Sequence, residues 1–325
     1  MRIKELDALR GLAALAVVFY HYTTQYDKLF GHTVGLNWQL PYGSFGVQLF
    51  FMISGFVIFL TLDRITKPMD FVVSRASRLY PPYWSAIIMT TAIVWTFGLH
   101  GEERNLFTTL TNFTMIQGVF EIPDVDGVYW TLLYELIFYC IIFTFFKWGN
   151  FKKIHWLIII GLLINILNST VDWIPWKIQL FLLLQYNHLF SAGIIFYLIK
   201  KEEINKQYAL SLLLCLIAHW MQGELISSIL VTLFFVVFTL FVYGKLSFIA
   251  IKPLTWLGSI SYSLYLLHQN IGYIIIREIE AKGFSPNIAI FSALVASLLL
   301  AHIIMKTIER PCQIWIKNRY KASTP

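Results

Sequence analysis

The chain has 325 residues, of which 58% are hydrophobic and only 13% charged, where soluble domains carry about 25% charged residues. A water-soluble globule of this length cannot hide that much apolar surface, so a soluble fold is excluded. The net charge of +7 is spread over short segments between apolar runs, not gathered on one basic face, which excludes a nucleic-acid-binding protein.

An α-helix needs about 20 mainly apolar residues to cross a hydrocarbon core about 30 Å thick. Runs of that kind lie near 8–27, 43–63, 80–99, 130–148, 154–170, 179–199, 207–222, 225–244, 253–275 and 287–308. The first resembles a secretion signal, but Tyr20, His21 and Tyr22 stand where a cleavage site needs small residues, so it reads as an uncleaved span. Ionisable groups inside spans are costly and are therefore functional candidates. Asp7, Arg10 and His21 share one face of the first helix. Arg10 and His21 are separated by three turns plus about 20°, or ~16 Å of rise. An Asp7–Arg10 ion pair and a packed, hydrogen-bonded His21 are the structural alternatives.

After the second span, Lys67-Pro68 and then Asp70 as an N-cap predict a short amphipathic helix carrying Arg75 and Arg78 on one face. Pro81 and Pro82 mark entry to the third span. The planar arginine fork suits phosphate oxygens, so this pair suggests a phosphorylated ligand; lipid headgroups are the alternative. The acidic outer segment from His100 to Tyr129 contains Asp124-Val125-Asp126-Gly127. That string lacks the remaining spacing of a calcium loop and reads as a turn.

Glu135 stands early in the fourth span, placed to orient a histidine or to accept a substrate hydroxyl; a structural Glu–Tyr or Glu–Trp bond is the alternative. His188 and His302 lie in spans without a supporting motif and read as structural. In the ninth span Ser261, Leu264, Tyr265 and His268 share a face, and a packed His268 is the alternative to a functional one.

With the N-terminus inside, all but five of the 25 Lys and Arg fall on inner segments, the exceptions being Lys28, Arg104, Lys177, Arg277 and Lys282. The positive-inside rule then predicts N-in, C-in and an even number of spans. The expected fold class is all-α: a polytopic membrane helix bundle of about ten transmembrane helices, forming a single membrane domain over 1–325. Cys140, Cys215 and Cys312 show no C-x-x-C spacing, so neither a zinc site nor a disulfide framework is indicated, and no metal is expected.

Six segments in order resemble the acyltransferase 3 family over nearly the whole chain: Leu6-Asp7-Ala8-Leu9-Arg10-Gly11 leading to His21; Phe50-Phe51-Met52-Ile53-Ser54-Gly55-Phe56; Arg75-x-x-Arg78-Leu79-Tyr80-Pro81; Trp130-Thr131-Leu132 with Glu135; Ser261-Tyr262-Ser263-Leu264-Tyr265 with His268; and Ile308-Glu309-Arg310-Pro311. Position 8 is Ala where many members have Gly. The resemblance implies a plasma-membrane O-acyltransferase that takes an acyl group, usually acetyl, from cytoplasmic acyl-CoA. The implied acceptor is a hydroxyl of a surface or lipid-linked carbohydrate. It carries key roles onto Arg10, His21, Arg75 and Arg78, and less directly onto Glu135 and His268.

The residues and the resemblance combine into one arrangement. Arg10, Arg75 and Arg78 hold the donor's phosphates, His21 acts as general base with Glu135 beside it, and Asp7, Tyr265 and His268 support them. A covalent acyl-histidine remains an open route. From polar residues in spans alone, a transporter or flippase of a lipid-linked sugar or small solute is the rival reading. The acceptor's identity, the acyl chain length and the oligomeric state are not legible.

Overall fold

The computed structural model describes residues 3–65, 67–149 and 154–323. Arg2, Lys152 and Lys153, counted above for orientation, lie outside them. Among the described residues the fold is helical, with no strand. In chain order, α1 (Lys4–Phe19) runs into a π-helical turn (Tyr20–Gln25) and the single turn α2 (Tyr26–Leu29). Next come α3 (Gly46–Leu62), α4 (Pro68–Phe97), α5 (Leu106–Asn112), α6 (Trp130–Lys147), α7 (Ile154–Val171) and the short α8 (Trp176–Phe181). Then follow α9 (Asn187–Glu202), α10 (Lys206–Gln222), α11 (Leu225–Val242), α12 (Lys252–Leu267), α13 (Gln269–Glu280) and α14 (Pro286–Ile304). A second π turn (Met305–Glu309) leads into α15 (Arg310–Ser323).

Five helical stretches among the described residues are long and apolar enough to cross a membrane: Pro41–Leu62, Gly127–Lys147, Ile154–Val171, Leu225–Val242 and Pro286–Ser323. The other expected spans are helices that are shorter, charged or interrupted. The first ends in the π turn that contains His21. The ninth is broken: α12 stops at Leu267 and α13 starts at Gln269, leaving His268 at the joint.

The stretch around Arg75 departs from expectation. In place of a short helix followed by a span there is one 30-residue helix, α4, which runs through Pro81 and Pro82. Pro68 opens it, as suits a residue with a fixed φ and no N–H. Asp70 falls inside the first turn and is not the cap. The two prolines withdraw the N–H groups that would bond the carbonyls of Ser77 and Arg78, but they do not end the helix.

Burial runs opposite to that of a soluble protein. Asn165, Asn168, Ser211, His219, Ser228 and Ser297 are buried. The exposed faces are apolar stripes at helical spacing: Ile160, Leu163, Leu167 and Val171 on α7; Leu225, Ile229, Leu233, Val236 and Leu240 on α11; Ile288, Phe291, Val295, Leu299 and Ile303 on α14. Contiguous apolar faces of this extent are stable in lipid and aggregate in water.

Two compact units make up the chain. One comprises Met1–Leu6, Val47–Phe71 and Tyr134–Ile251; the other comprises Asp7–Gly46, Val72–Leu133 and Lys252–Pro325. The first has an aromatic core in which Phe138 and Phe190 stack at 4.2 Å and Phe51 packs 4.8 Å from Phe190. It also holds His188, whose Nε2 lies 2.9 Å from Nδ1 of His219, a buried pairing that fits a structural role.

In the second unit α12, α13 and α14 pack together. A Cβ added at Gly258 of α12 would lie 1.9 Å from the Asp7 carbonyl oxygen. The backbones of α1 and α12 therefore touch, as small residues permit in membrane helix pairs. That crossing joins the two helices carrying the most motif residues.

Candidate active site

The site is built in the second unit, where a widened turn meets a helix break. In the π turn the Nδ1 of His21 lies 3.0 Å from the Val17 carbonyl oxygen. The Thr23 hydroxyl donates to the Phe19 carbonyl at 2.6 Å and accepts from the Leu40 backbone N–H at 3.1 Å. Single π turns of this kind occur frequently at functional sites, because the extra residue re-aims a side chain. The turn is pinned by Tyr22, fully buried, whose hydroxyl donates to the His268 carbonyl at 2.8 Å and meets Ser297 Oγ at 2.7 Å. Gly272 makes room for it: a Cβ there would stand 2.3 Å from the Tyr22 ring.

At the joint between α12 and α13, His268 is fully buried. Its Nδ1 lies 3.1 Å from the Leu264 carbonyl and 2.9 Å from that of Tyr265, and its Nε2 lies 3.0 Å from Nδ1 of His21. These partners assign the protons. Carbonyl oxygens only accept, so His268 carries its proton on Nδ1, and its Nε2 is an acceptor in the neutral ring. His21 Nδ1 faces two acceptors, the Val17 carbonyl and His268 Nε2, so it must be the donor. The proton on Nδ1 leaves Nε2 of His21 with a bare lone pair. A histidine held this way, with its other nitrogen donating to an acceptor behind it, has the arrangement of a general base.

Tyr265 serves as a strap. Its hydroxyl meets Thr131 Oγ at 3.0 Å and donates to the Val128 carbonyl at 3.2 Å, while the Tyr129 hydroxyl donates back to the Leu266 carbonyl at 3.3 Å. The Asp-containing turn is a second strap. Asp126, fully buried, accepts from the backbone N–H of Val128 at 3.3 Å and of Asn270 at 3.1 Å. Its carboxylate is thus spent on capping, as the turn reading requires. Burial pushes its pKa up to about 7, against the two backbone donors. Burial likewise pushes Asp124 up to about 6, opposed by a hydrogen bond from Gln117 and the charge of Arg104.

The arginines gather at another part of the same unit. Tyr262 donates to the Leu79 carbonyl at 3.0 Å, and Ser263 donates to the Glu309 carboxylate at 2.7 Å. Adjacent residues of α12 thereby tie together the α4 turn bearing Arg78 and the second π turn. Glu309 interacts electrostatically with Arg78, Arg10 and Arg310, and Lys317 with Arg75 and Arg78. Arg75 is buried, with 8% of its surface exposed. Arg10 and Arg78 thus act on one carboxylate, and Arg75 and Arg78 on one lysine, although 65 positions separate Arg10 from Arg75 in the chain. Asp7 contributes its backbone carbonyl to the crossing at Gly258.

Glu135 belongs to the first unit, where Ser54 Oγ donates to its Oε1 at 2.7 Å and the Tyr139 hydroxyl bonds the same oxygen. The Glu–Tyr bond weighed from the sequence exists, with Tyr139 one turn along the helix as partner.

An acyltransferase-domain family model matches residues 3–306 of the chain, both units included. The chain belongs to the acyltransferase 3 family. Five of its helical stretches have the length and apolar composition of membrane spans, and family membership favours the acyltransferase reading over the transporter one. Similar curated proteins are the exopolysaccharide production protein ExoZ of Rhizobium meliloti, 33% identical over 112 residues that make up 30% of this chain and 33% of that one, and nodulation protein 10 of Rhizobium leguminosarum bv. viciae, 32% identical over 155 residues, 41% of each. The peptidoglycan O-acetyltransferase OatA of Listeria monocytogenes is 25% identical, with 95% of this chain and 55% of that protein covered. The chain thus spans less than half the length of the first two relatives and about half of the third. No solved structure matches it.

Several residues of the candidate site were not singled out from the sequence. Tyr22 and Ser297 anchor the π turn, and a hydroxyl pair spaced 275 positions apart leaves no local signal. Glu309 stands in the quoted Ile308–Pro311 segment, and a carboxylate amid arginines was the available signal. Lys317 looked like ordinary inner charge.

Proposed function

We propose that the protein moves an acetyl group from acetyl-CoA on the cytoplasmic side to a hydroxyl of a surface or lipid-linked carbohydrate. The single domain over 1–325 would lie N-in and C-in in the plasma membrane, which puts the arginine cluster on the cytoplasmic side. The observation that carries the reaction is the His21–His268 pair, because its hydrogen bonds leave His21 Nε2 unprotonated. In this reading Nε2 removes the proton of the acceptor hydroxyl as the new C–O bond forms. The thioester C–S bond breaks, and the leaving thiolate takes that proton back from His21. His268 accepts from Nδ1–H throughout and stabilises the imidazolium. Arg10, Arg75 and Arg78 bind the donor's phosphates by charge-assisted hydrogen bonds, and Glu135 is the candidate for holding a sugar hydroxyl. The exopolysaccharide and peptidoglycan named in two relatives support a carbohydrate acceptor.

The test is acetyl transfer in proteoliposomes with labelled acetyl-CoA and envelope glycan. His21→Ala should abolish transfer while acetyl-CoA still binds. Retained transfer refutes the base assignment, and absence of transfer by the unmodified protein to every glycan offered refutes the acceptor class.

A further inference from the structure

The π turn that carries His21 is clamped by a residue that the proposed reaction does not use. In a regular helix the Tyr26 backbone N–H would bond the Tyr22 carbonyl, four residues back. Here it bonds the His21 carbonyl, five residues back, and His32 serves Tyr22: its Nε2 lies 3.1 Å from the Tyr22 carbonyl oxygen. The chain delivers His32 by turning back after α2. Gly31 takes a φ of +73° and its N–H bonds the Asp27 carbonyl at 3.0 Å, a helix ending that glycine adopts without strain. The His32 backbone N–H then donates to Asp27 Oδ1 at 3.1 Å.

The other ring nitrogen is held as well. Nδ1 of His32 lies 2.6 Å from Oε1 of Glu280, the last residue of α13, and the two side chains are 0% and 2% exposed. Oε2 of Glu280 accepts the Thr33 backbone N–H at 3.0 Å, a bond that favours the ionised carboxylate. A carboxylate at the negative end of a helix dipole is stabilised by a cation beside it. The Tyr26 ring stands 4.7 Å from the imidazole, within the range at which an aromatic ring attracts a cation. Both ring nitrogens of His32 thus face acceptors, a carboxylate and a carbonyl, and both carry protons. Farther along the same segment the Leu40 N–H donates to Thr23 Oγ1. Residues 32–40 therefore grip two consecutive members of the π turn, Tyr22 and Thr23.

We propose that His32 is a positioning residue for His21: its imidazolium, anchored on Glu280, holds the Tyr22 carbonyl so that the turn keeps its five-residue bond and His21 stays directed at His268. This rests on the reading above that His21 is the base. Without the Nε2–H donor, the Tyr22 carbonyl competes with that of His21 for the Tyr26 N–H. A return to regular winding removes the extra residue of the turn and re-aims the His21 ring.

Two amide substitutions separate the nitrogens. The shorter asparagine amide reaches the place of Nδ1, so His32→Asn keeps a donor toward Glu280 and loses the one toward Tyr22. The longer glutamine amide reaches the place of Nε2, so His32→Gln does the reverse. The full chain is reconstituted in phosphatidylcholine nanodiscs, and acetyl transfer, melting temperature and the ¹⁵N spectrum of His21 are measured. His32→Asn should lower kcat about tenfold, the effect of one lost hydrogen bond, leave the KM for acetyl-CoA unchanged, and shift the His21 Nδ1–H signal. His32→Gln should stay within about threefold of the unmodified kcat and keep that signal, although it leaves Glu280 without a cation and should melt lower than His32→Asn. A purely structural pair gives the opposite order, with activity following melting temperature. That order, or an unmoved kcat or His21 signal in His32→Asn, overturns the proposal. The unmodified protein supplies a measurement that needs no variant to fold: His32 should carry protons on both ring nitrogens, and a bare Nε2 overturns the proposal. If His21→Ala still transfers, or the unmodified protein does not, the base reading fails, and the His21 signal alone decides the positioning role.

Discussion

Replacing His268 with Ala probes the proton arrangement directly. The substitution removes the acceptor 3.0 Å from His21 Nδ1 but keeps the Val17 carbonyl, also at 3.0 Å. It also keeps the backbone carbonyl that receives the Tyr22 hydroxyl, so the π turn stays anchored. In the transition state His21 is becoming cationic, and a hydrogen bond from a charged donor contributes about 1.5–3 kcal/mol. At about 1.36 kcal/mol per tenfold, and with Val17 still accepting, kcat/KM should fall roughly 10- to 100-fold. The KM for acetyl-CoA should change little, since the arginines are untouched. The assay is acetyl transfer in proteoliposomes, with thermal unfolding alongside, because emptying a buried histidine site leaves a cavity. Full activity in a folded variant would refute the reasoning. So would ¹⁵N spectra showing that resting His21 carries its proton on Nε2.

Two further outcomes follow from the packing and the charges. Gly272→Ala places a Cβ 2.3 Å from the Tyr22 ring, so the π turn must shift. Overpacking of this kind costs about 1–3 kcal/mol, and transfer should fall at least about tenfold, whereas Gly35→Ala, with nothing within 4 Å of its Cβ, should be neutral in both transfer rate and melting temperature. The folded protein keeps a proton on Asp126 up to about pH 7, where an ordinary aspartate releases it near 3.8. Between those values the folded state binds more protons than the unfolded one, so stability falls as pH rises through that window. Asp126→Asn should flatten the decline in melting temperature between about pH 4 and about pH 7; an unchanged slope would contradict the assignment.

The residues singled out from the sequence can be followed into the fold. Arg10, His21, Arg75, Arg78, Tyr265 and His268 all fall in one unit, and His21 and His268, named from separate motifs, meet at 3.0 Å. The first span's face, drawn on a regular helix, did not anticipate the π turn at Tyr20–Gln25. A π turn arises from what Tyr22 and Thr23 bond to, and those partners are distant in the chain. The short helix expected before Pro81 failed for a related reason. Proline weakens a helix locally, and in α4 the surrounding contacts override that preference.

By itself the sequence determined the solvent and the class of chemistry. Long apolar runs admit only helices in lipid, and ionisable residues within them must repay their cost by pairing or by function. The tertiary structure decided which nitrogen of His21 is hydrogen-bonded inward, what holds it, and which arginines act on Glu309. A proton's position depends on the acceptors within about 3 Å of each ring nitrogen, and His268 comes into that range from 247 positions away.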